Sequence, residues 1–203
     1  MAARGLLLDF GGVLTTSIWE SFDAFCRAEG LPQGAVRRLF RDDPDALADL
    51  RRLETGEITD IVFAERFGPR LGIDKTEGLI ERMFVGLRPE DAMIAAVGKL
   101  RAAGVRTGLI SNSWGTGIYD SRLLDELFDA VVISGEVGVH KPQPEIYRLG
   151  AERIGVDPHD CIFVDDLRQN ISGAEAVGIT GVLHRDPEAT VAKLEELLGV
   201  ATD

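Results

Sequence analysis

The chain has 203 residues, with 34 acidic against 22 basic side chains and a formal net charge of −12. That length accommodates one α/β domain carrying an insertion, or two small domains. The acidity argues against nucleic acid and anionic membranes as partners, and no apolar run approaches the ~18 residues of a membrane-spanning helix. Cys26 and Cys161 make neither a disulfide framework nor a zinc site, and His140, His159 and His184 lack metal-ligand spacing. The opening Met-Ala-Ala-Arg-Gly-Leu-Leu-Leu-Asp reaches a carboxylate too soon for a signal peptide, so a cytoplasmic location is expected.

In chain order, Leu6-Leu7-Leu8 is an apolar run that ends at Asp9 and then Gly11-Gly12. It reads as a buried parallel strand entering a loop. Residues 16–86 then look almost wholly helical, with segments near 20–29, 33–40, 45–53, 59–71 and 76–84. This excursion is far longer than an ordinary crossover, so it is read as a helical cap inserted into the core. Its hinges are expected at 15–17 and 86–89. Trp19, Glu20, Phe22 and Arg51 are its candidate site-facing residues.

Beyond the insertion, strands alternate with helices. Residues 90–103 place Met93, Ile94, Val97 and Leu100 at helical spacing. Strands are read at 107–110, leading to Ser111-Asn112-Ser113, and at 130–133, leading to Ser134-Gly135. A strand at 161–164 leads to Asp165-Asp166, and one at 179–183 leads to His184. Helices are expected at 144–154, 171–177 and 187–198. The alternation predicts an α/β fold with a Rossmann-like, doubly wound parallel sheet. The core is residues 1–15 and 87–203, with the all-helical cap at 16–86. Such sheets bind ligands outside the carboxyl ends of their strands, where every polar cluster just named falls.

Adjacent aspartates at the end of a buried strand repel each other unless a cation holds them. The ordered set Asp9-Phe10-Gly11-Gly12-Val13-Leu14, Ser111-Asn112-Ser113, His140-Lys141-Pro142 and Phe163-Val164-Asp165-Asp166 resembles the haloacid dehalogenase superfamily. The stretches from Lys141 to Tyr147, from Asp165 to Asn170 and from Gly173 to Gly178 narrow the likeness. They look like the branch of bacterial α-glucose-1-phosphate phosphatase and the N-terminal phosphatase domain of soluble epoxide hydrolases.

The resemblance implies a magnesium-dependent phosphatase-type hydrolase acting on a small phosphorylated metabolite, with sugar phosphates as one candidate class. It implies Asp9 as the nucleophile that becomes an aspartyl-phosphate, with Mg²⁺ held by Asp9, the Gly11 carbonyl, Asp166 and Asp165. Ser111 and Asn112 would bind the phosphoryl group, and Lys141 would stabilise charge on it and on Asp9. Asn170 is a further positioning candidate. The family's usual second aspartate, the general acid, is replaced here by Gly11. Glu54, Glu57 and His140 are the candidate substitutes. The alternatives are a catalytically weakened phosphate-binding or regulatory protein, and a 2-haloacid dehalogenase. A phosphomutase is disfavoured, because it needs an acid at position 11. Oligomeric state is left between monomer and homodimer.

Overall fold

A computed structural model describes residues 4–115 and 118–202. Five strands, β1 (Gly5–Leu8), β2 (Arg106–Ser111), β3 (Ala130–Ile133), β4 (Cys161–Asp165) and β5 (Thr180–Leu183), form one sheet in the order β3-β2-β1-β4-β5. All pairings are parallel. Leu8 lies opposite Leu109 and Val164, so Asp9, Ser111 and Asp165 fall within about two residues of one another at the same edge of the sheet.

The central strands are apolar throughout because both faces of the sheet are covered. Leu6, Leu8, Leu109, Ile162 and Val164 point to one face, packed by α6 (Asp91–Ala102), α7 (Ser121–Leu127) and α11 (Pro187–Leu198). Leu7, Ile110 and Phe163 point to the other, packed by α9 (Pro144–Ile154) and α10 (Arg168–Glu175). The two-residue period of a strand thus divides each apolar run between two cores.

Helices α1 (Ile18–Ala28), α2 (Ala35–Asp42), α3 (Pro44–Glu54), α4 (Asp60–Arg70) and α5 (Leu79–Phe84) bury a separate cluster that includes Phe22, Phe25, Phe63, Phe67 and Met83. Trp114, from the segment after β2, inserts into it and meets Phe22, Phe40, Phe63 and Phe84 edge to face. The two chain crossings into this helical region lie side by side. Thr15 and Pro89 form an antiparallel bridge, and Thr16 N–H donates to the Arg88 carbonyl at 2.8 Å. No helix among the described residues is long and apolar enough to cross a membrane.

Several boundaries differ from the sequence reading. Helix α10 begins at Arg168 rather than 171, because its first turn, Arg168-Gln169-Asn170, is polar and hides the apolar period. Helix α5 begins at Leu79 rather than 76, after Gly78 in a left-handed conformation. The seven-residue α7 was not anticipated. It is capped by Asp120, which accepts from the N–H groups of Arg122 and Leu123. Ser134, read as the start of a loop, begins the one-turn helix α8 (Ser134–Val137).

Asp49 is the one carboxylate fully enclosed within the helical cluster among the described residues. Arg66 and Arg70 donate to its two oxygens at 2.9 and 2.8 Å. Burial alone would raise its pKa, but the two guanidiniums outweigh that and hold it below its ordinary 3.8. Its contribution is therefore present above pH 3.8 and is lost as pH falls through the lower folded value. Asp49→Asn should cost about 1–3 kcal/mol at neutral pH in urea unfolding. The gap to the wild type should close below pH 3.8; a gap unchanged at acid pH would contradict the assignment.

Candidate active site

Asp9 sits one residue beyond β1, where its N–H donates to the Val164 carbonyl at 2.9 Å and prolongs the sheet ladder. The carboxylate cannot turn freely, since Oδ1 accepts from its neighbour's N–H, that of Phe10, at 2.7 Å. The same oxygen lies 2.7 Å from Lys141 Nζ. Lys141 is only 2% exposed, and its ammonium reaches on to Asp165 Oδ2 at 2.8 Å. Burial pushes the Asp9 carboxyl upward and Lys141 opposes it, while Asp165 and Asp166 add to the rise. Burial disfavours the lysine's charge, but Asp165 and Asp9 outweigh it and raise its pKa. The lysine stays charged, clamped between two carboxylates.

Asp165 is fully buried and its oxygens are already occupied. Oδ1 accepts from Leu167 N–H at 2.7 Å and from Asn170 Nδ2 at 3.1 Å. Oδ2 takes Lys141 and, at 3.0 Å, the same Asn170 amide. Half-buried Asp166 differs, being in no ion pair among the described residues. Burial first, and Asp165 next, push its pKa up to about 6. Gly12, at φ +77°, lets the loop close on it: a Cβ there would stand 2.8 Å from Asp166 Oδ2.

One ligand atom each from Asp9, Asp165 and Asp166 falls within 4.8 Å of the others. Three carboxylates against one lysine leave excess negative charge, which suits a hard divalent cation with oxygen ligands. The buried Asn170 Oδ1 has no hydrogen-bond partner among the described residues. An acceptor left open there fits a hydrated ion, because Mg²⁺ keeps several of its waters. The donor set therefore fits Mg²⁺, with Asp9 and Asp166 offering freer oxygens than Asp165.

These groups border a cavity of about 90 Å³ that Asp9, Gly11, Ser111, Asn112, Lys141 and Asp166 line from the sheet side. Trp19, Ile18, Glu54 and Phe84 line it from the helical side. Ser111, at the end of β2, has its Oγ 2.9 Å from Tyr119 Oη. Burial pushes that phenol up to about 12, so it is un-ionised at neutral pH. Asn112 does not extend freely into the cavity. Its Oδ1 accepts from Lys141 N–H at 2.8 Å and its Nδ2 donates to the Lys141 carbonyl at 3.2 Å. It fixes the lysine's backbone, and from the same cavity wall its hydrogen bonding opposes the rise that burial gives the Glu54 pKa.

Of the cap residues singled out by sequence, Trp19 lines the cavity, whereas Glu20 and Arg51 are exposed outside it and Phe22 is buried in the helical cluster. Of the three substitute acids, Glu57 is exposed and accepts from Thr55 Oγ1 at 3.1 Å, away from the cavity. His140 stands behind the wall, with Nδ1 2.8 Å from the Lys141 carbonyl oxygen. Glu54 alone of the three borders the cavity. Sequence reasoning missed Trp114 and Tyr119, which lie beyond the Ser-Asn-Ser cluster and carry no periodic signal. A second, larger cavity of about 380 Å³ adjoins the first and shares Phe10, Phe84, Leu87, Trp114 and Ile118 with it. Leu14, Ile80, Val85 and Leu123 give it apolar walls, and Asp60, Glu81, Arg88 and Asp120 line it as well.

Among known proteins, mouse acyl-CoA dehydrogenase family member 10 is 33% identical over 97% of this chain. Pig bifunctional epoxide hydrolase 2 is 27% identical over 98% of it. The chain spans only 19% and 40% of the lengths of those two proteins. The sesquiterpene phosphatase astK of Aspergillus oryzae is 29% identical, with 73% of this chain and 78% of that protein aligned. A haloacid dehalogenase family enzyme of Bacteroides thetaiotaomicron, solved with magnesium and inorganic phosphate, superposes with a TM-score of 0.66 at 23% identity. That match covers 90% of this chain and 94% of the other, and it shows the shared fold. Residues 3–178 match the haloacid dehalogenase-like hydrolase family. In agreement with the motifs at its strand ends, the chain belongs to that family of hydrolases.

Proposed function

We propose that this protein hydrolyses phosphomonoesters through a phosphoryl group carried transiently on Asp9, with Mg²⁺ as cofactor. The observation that carries the reading is the buried Lys141 held between Asp9 and Asp165, with Asp166 alongside. A lysine so placed presents Asp9 with one oxygen fixed and gives the incoming phosphoryl group a neighbouring cation. Asp165 has no oxygen to spare, so its role is to hold Lys141 and the Asn170 amide in place. Asp9, the Gly11 carbonyl and Asp166 would hold the metal, and Asp165, its oxygens taken, would not join them. When bound, Mg²⁺ supplies positive charge against the three carboxylates and the phosphate. Ser111, oriented by Tyr119, would hold a phosphoryl oxygen.

Residues 16–86 act in this reading as a cap on a core of 1–15 and 87–203, with the bridged crossings at Thr15 and Pro89 as its hinge. Closure would exclude water during transfer, and opening would release product. The adjoining cavity, in which apolar side chains predominate beside Asp60, Glu81, Arg88 and Asp120, favours a substrate with an apolar portion beyond its phosphate over a bare sugar phosphate. The relative named a sesquiterpene phosphatase points the same way.

The test is phosphate release from a panel containing prenyl, alkyl and sugar phosphates, with Mg²⁺ and then with EDTA. Turnover should be fastest on an apolar ester and should vanish with EDTA. EDTA-resistant halide release from a 2-haloacid, with no phosphate release, would place the chemistry on carbon and overturn the reading.

A further inference from the structure

A phosphatase of this design needs a proton for the departing oxygen, and the sheet side of the cavity offers none. Gly11 has no side chain, and the space where one would begin is taken: a Cβ there would lie 2.8 Å from Ile18 Cγ2. Lys141 is spoken for by Asp9 and Asp165. In the proposed reading Asp9 is the nucleophile, and Asp166, also on this wall, is taken up as a metal ligand. The remaining acid on the cavity wall is Glu54, and it comes from the opposite side.

Glu54 is the last residue of α3, and its backbone is anchored to the core rather than to the helical cluster alone. Ser134 Oγ, at the start of α8, donates to the Glu54 carbonyl and also accepts from Ser113 N–H at 2.8 Å. One hydroxyl therefore ties the end of α3 to the segment that follows Ser111. Two residues on, Gly56 at φ +74° packs so tightly on the Gly135 carbonyl that no side chain would fit. The Glu54 side chain is 14% exposed. The nearest ring nitrogen, His140 Nδ1, is 3.8 Å from Oε2, too far for a strong ion pair. The backbone is anchored, the carboxyl is enclosed, and among the described residues it has no short cationic partner.

We infer that Glu54 protonates the leaving oxygen when Asp9 attacks phosphorus, and then takes a proton from the water that hydrolyses the aspartyl-phosphate. The inference rests on the phosphatase reading of the same site. In the first step Asp9 Oδ bonds to phosphorus, the ester P–O bond breaks, and the Glu54 proton passes to the departing oxygen to give the alcohol. In the second, Glu54 carboxylate accepts a proton from water, and that oxygen bonds to phosphorus. The Asp9 O–P bond then breaks, which frees phosphate and restores both carboxyl groups. Burial raises the Glu54 pKa from 4.5 to about 7, against the lowering influence of Asn112, Lys141 and Arg51. An acid near 7 can both give and take a proton at neutral pH.

The experiment compares wild type, Glu54→Gln, Glu54→Asp and Asp9→Asn with Mg²⁺ on p-nitrophenyl phosphate and on a simple alkyl phosphate. The poor alkoxide leaving group needs the proton, and the nitrophenolate does not. Glu54→Gln should lower kcat/KM by about 10²–10⁴-fold on the alkyl ester and by less than about tenfold on the nitrophenyl ester. Its nitrophenyl reaction should show a burst equal to the enzyme present, because the second step has lost its base. Equal losses on both esters, or no loss on either, overturn the role of Glu54 while Asp9→Asn remains inactive and the phosphatase reading stands. If a melting curve shows Glu54→Gln unfolded, Glu54→Asp carries the same comparison, since the shorter acid should also penalise the alkyl ester selectively. A wild type without Mg²⁺-dependent release from either ester overturns the phosphatase reading, and Glu54's role with it.

Discussion

Asp9→Asn should lower phosphomonoester turnover by on the order of 10⁴–10⁶-fold, the scale set by removal of a nucleophile from a cooperating set. An amide oxygen is a poor nucleophile, so the covalent step fails even where substrate binds. The loss should not reflect unfolding. Asp9 adds a like charge beside Asp165 and Asp166, and burial already disfavours its ionised form. Lys141 keeps Asp165 as a partner in the variant. The metal-free melting temperature of Asp9→Asn should therefore equal or exceed that of the wild type in a thermal melt. A large drop would mean that Asp9 holds the fold together, and the activity loss would then say little about nucleophilic attack.

Lys141→Met should damage both stability and activity. The side chain is enclosed beneath the site, with its ammonium 5.5 Å from the centre of the Phe163 ring. Methionine keeps the bulk but leaves Asp9, Asp165 and Asp166 without their one buried cation. Breaking a buried pair by removing one partner costs about 3–5 kcal/mol, or roughly 6–20 °C in melting temperature for a chain of this size. Loss of a cation that stabilises a transferring phosphoryl group costs about 10³–10⁵-fold in rate. Added Mg²⁺ should recover part of the stability and little of the activity, because the ion can neutralise carboxylates without replacing the lysine at Asp9. Differential scanning fluorimetry with and without Mg²⁺, beside a phosphate-release assay, separates the two effects. A variant as stable as the wild type without metal would contradict the charge balance described here.

The sheet was legible because its central strands are buried on both faces. Leu6-Leu7-Leu8 and Cys161-Ile-Phe-Val164 read as unbroken apolar runs, and each stops at the aspartate that begins the site. Asp9, Ser111 and Asp166 could be located partly for that reason, since a parallel sheet presents its strand ends at one edge, whereas Lys141, in the loop after α8, is singled out by the family resemblance alone. What the sequence could not carry is how the hydrogen bonds are shared out. Asp165 and Asp166 are adjacent and chemically identical, yet one is saturated by Leu167, Asn170 and Lys141 and the other is not. Asn112 looked like a ligand-facing amide, and the structure binds it to the Lys141 backbone. Glu54, Glu57 and His140 were equal candidates by position. Only the packing of α3 on Ser134 and Gly135 sends the first to the cavity and leaves the second in solvent. Trp114 and Tyr119 were invisible because a single aromatic in an irregular segment has no pattern to betray its direction.

The most direct measurement is the position of the phosphoryl group during turnover. The protein, Mg²⁺ and its best phosphomonoester are mixed, quenched in acid within the first turnover and digested for peptide mass spectrometry. The account predicts a phosphoryl group on the peptide bearing Asp9, localised to that side chain, formed and lost as fast as product appears, and missing in Asp9→Asn. Steady turnover with no phosphoryl group ever found on Asp9 would contradict it.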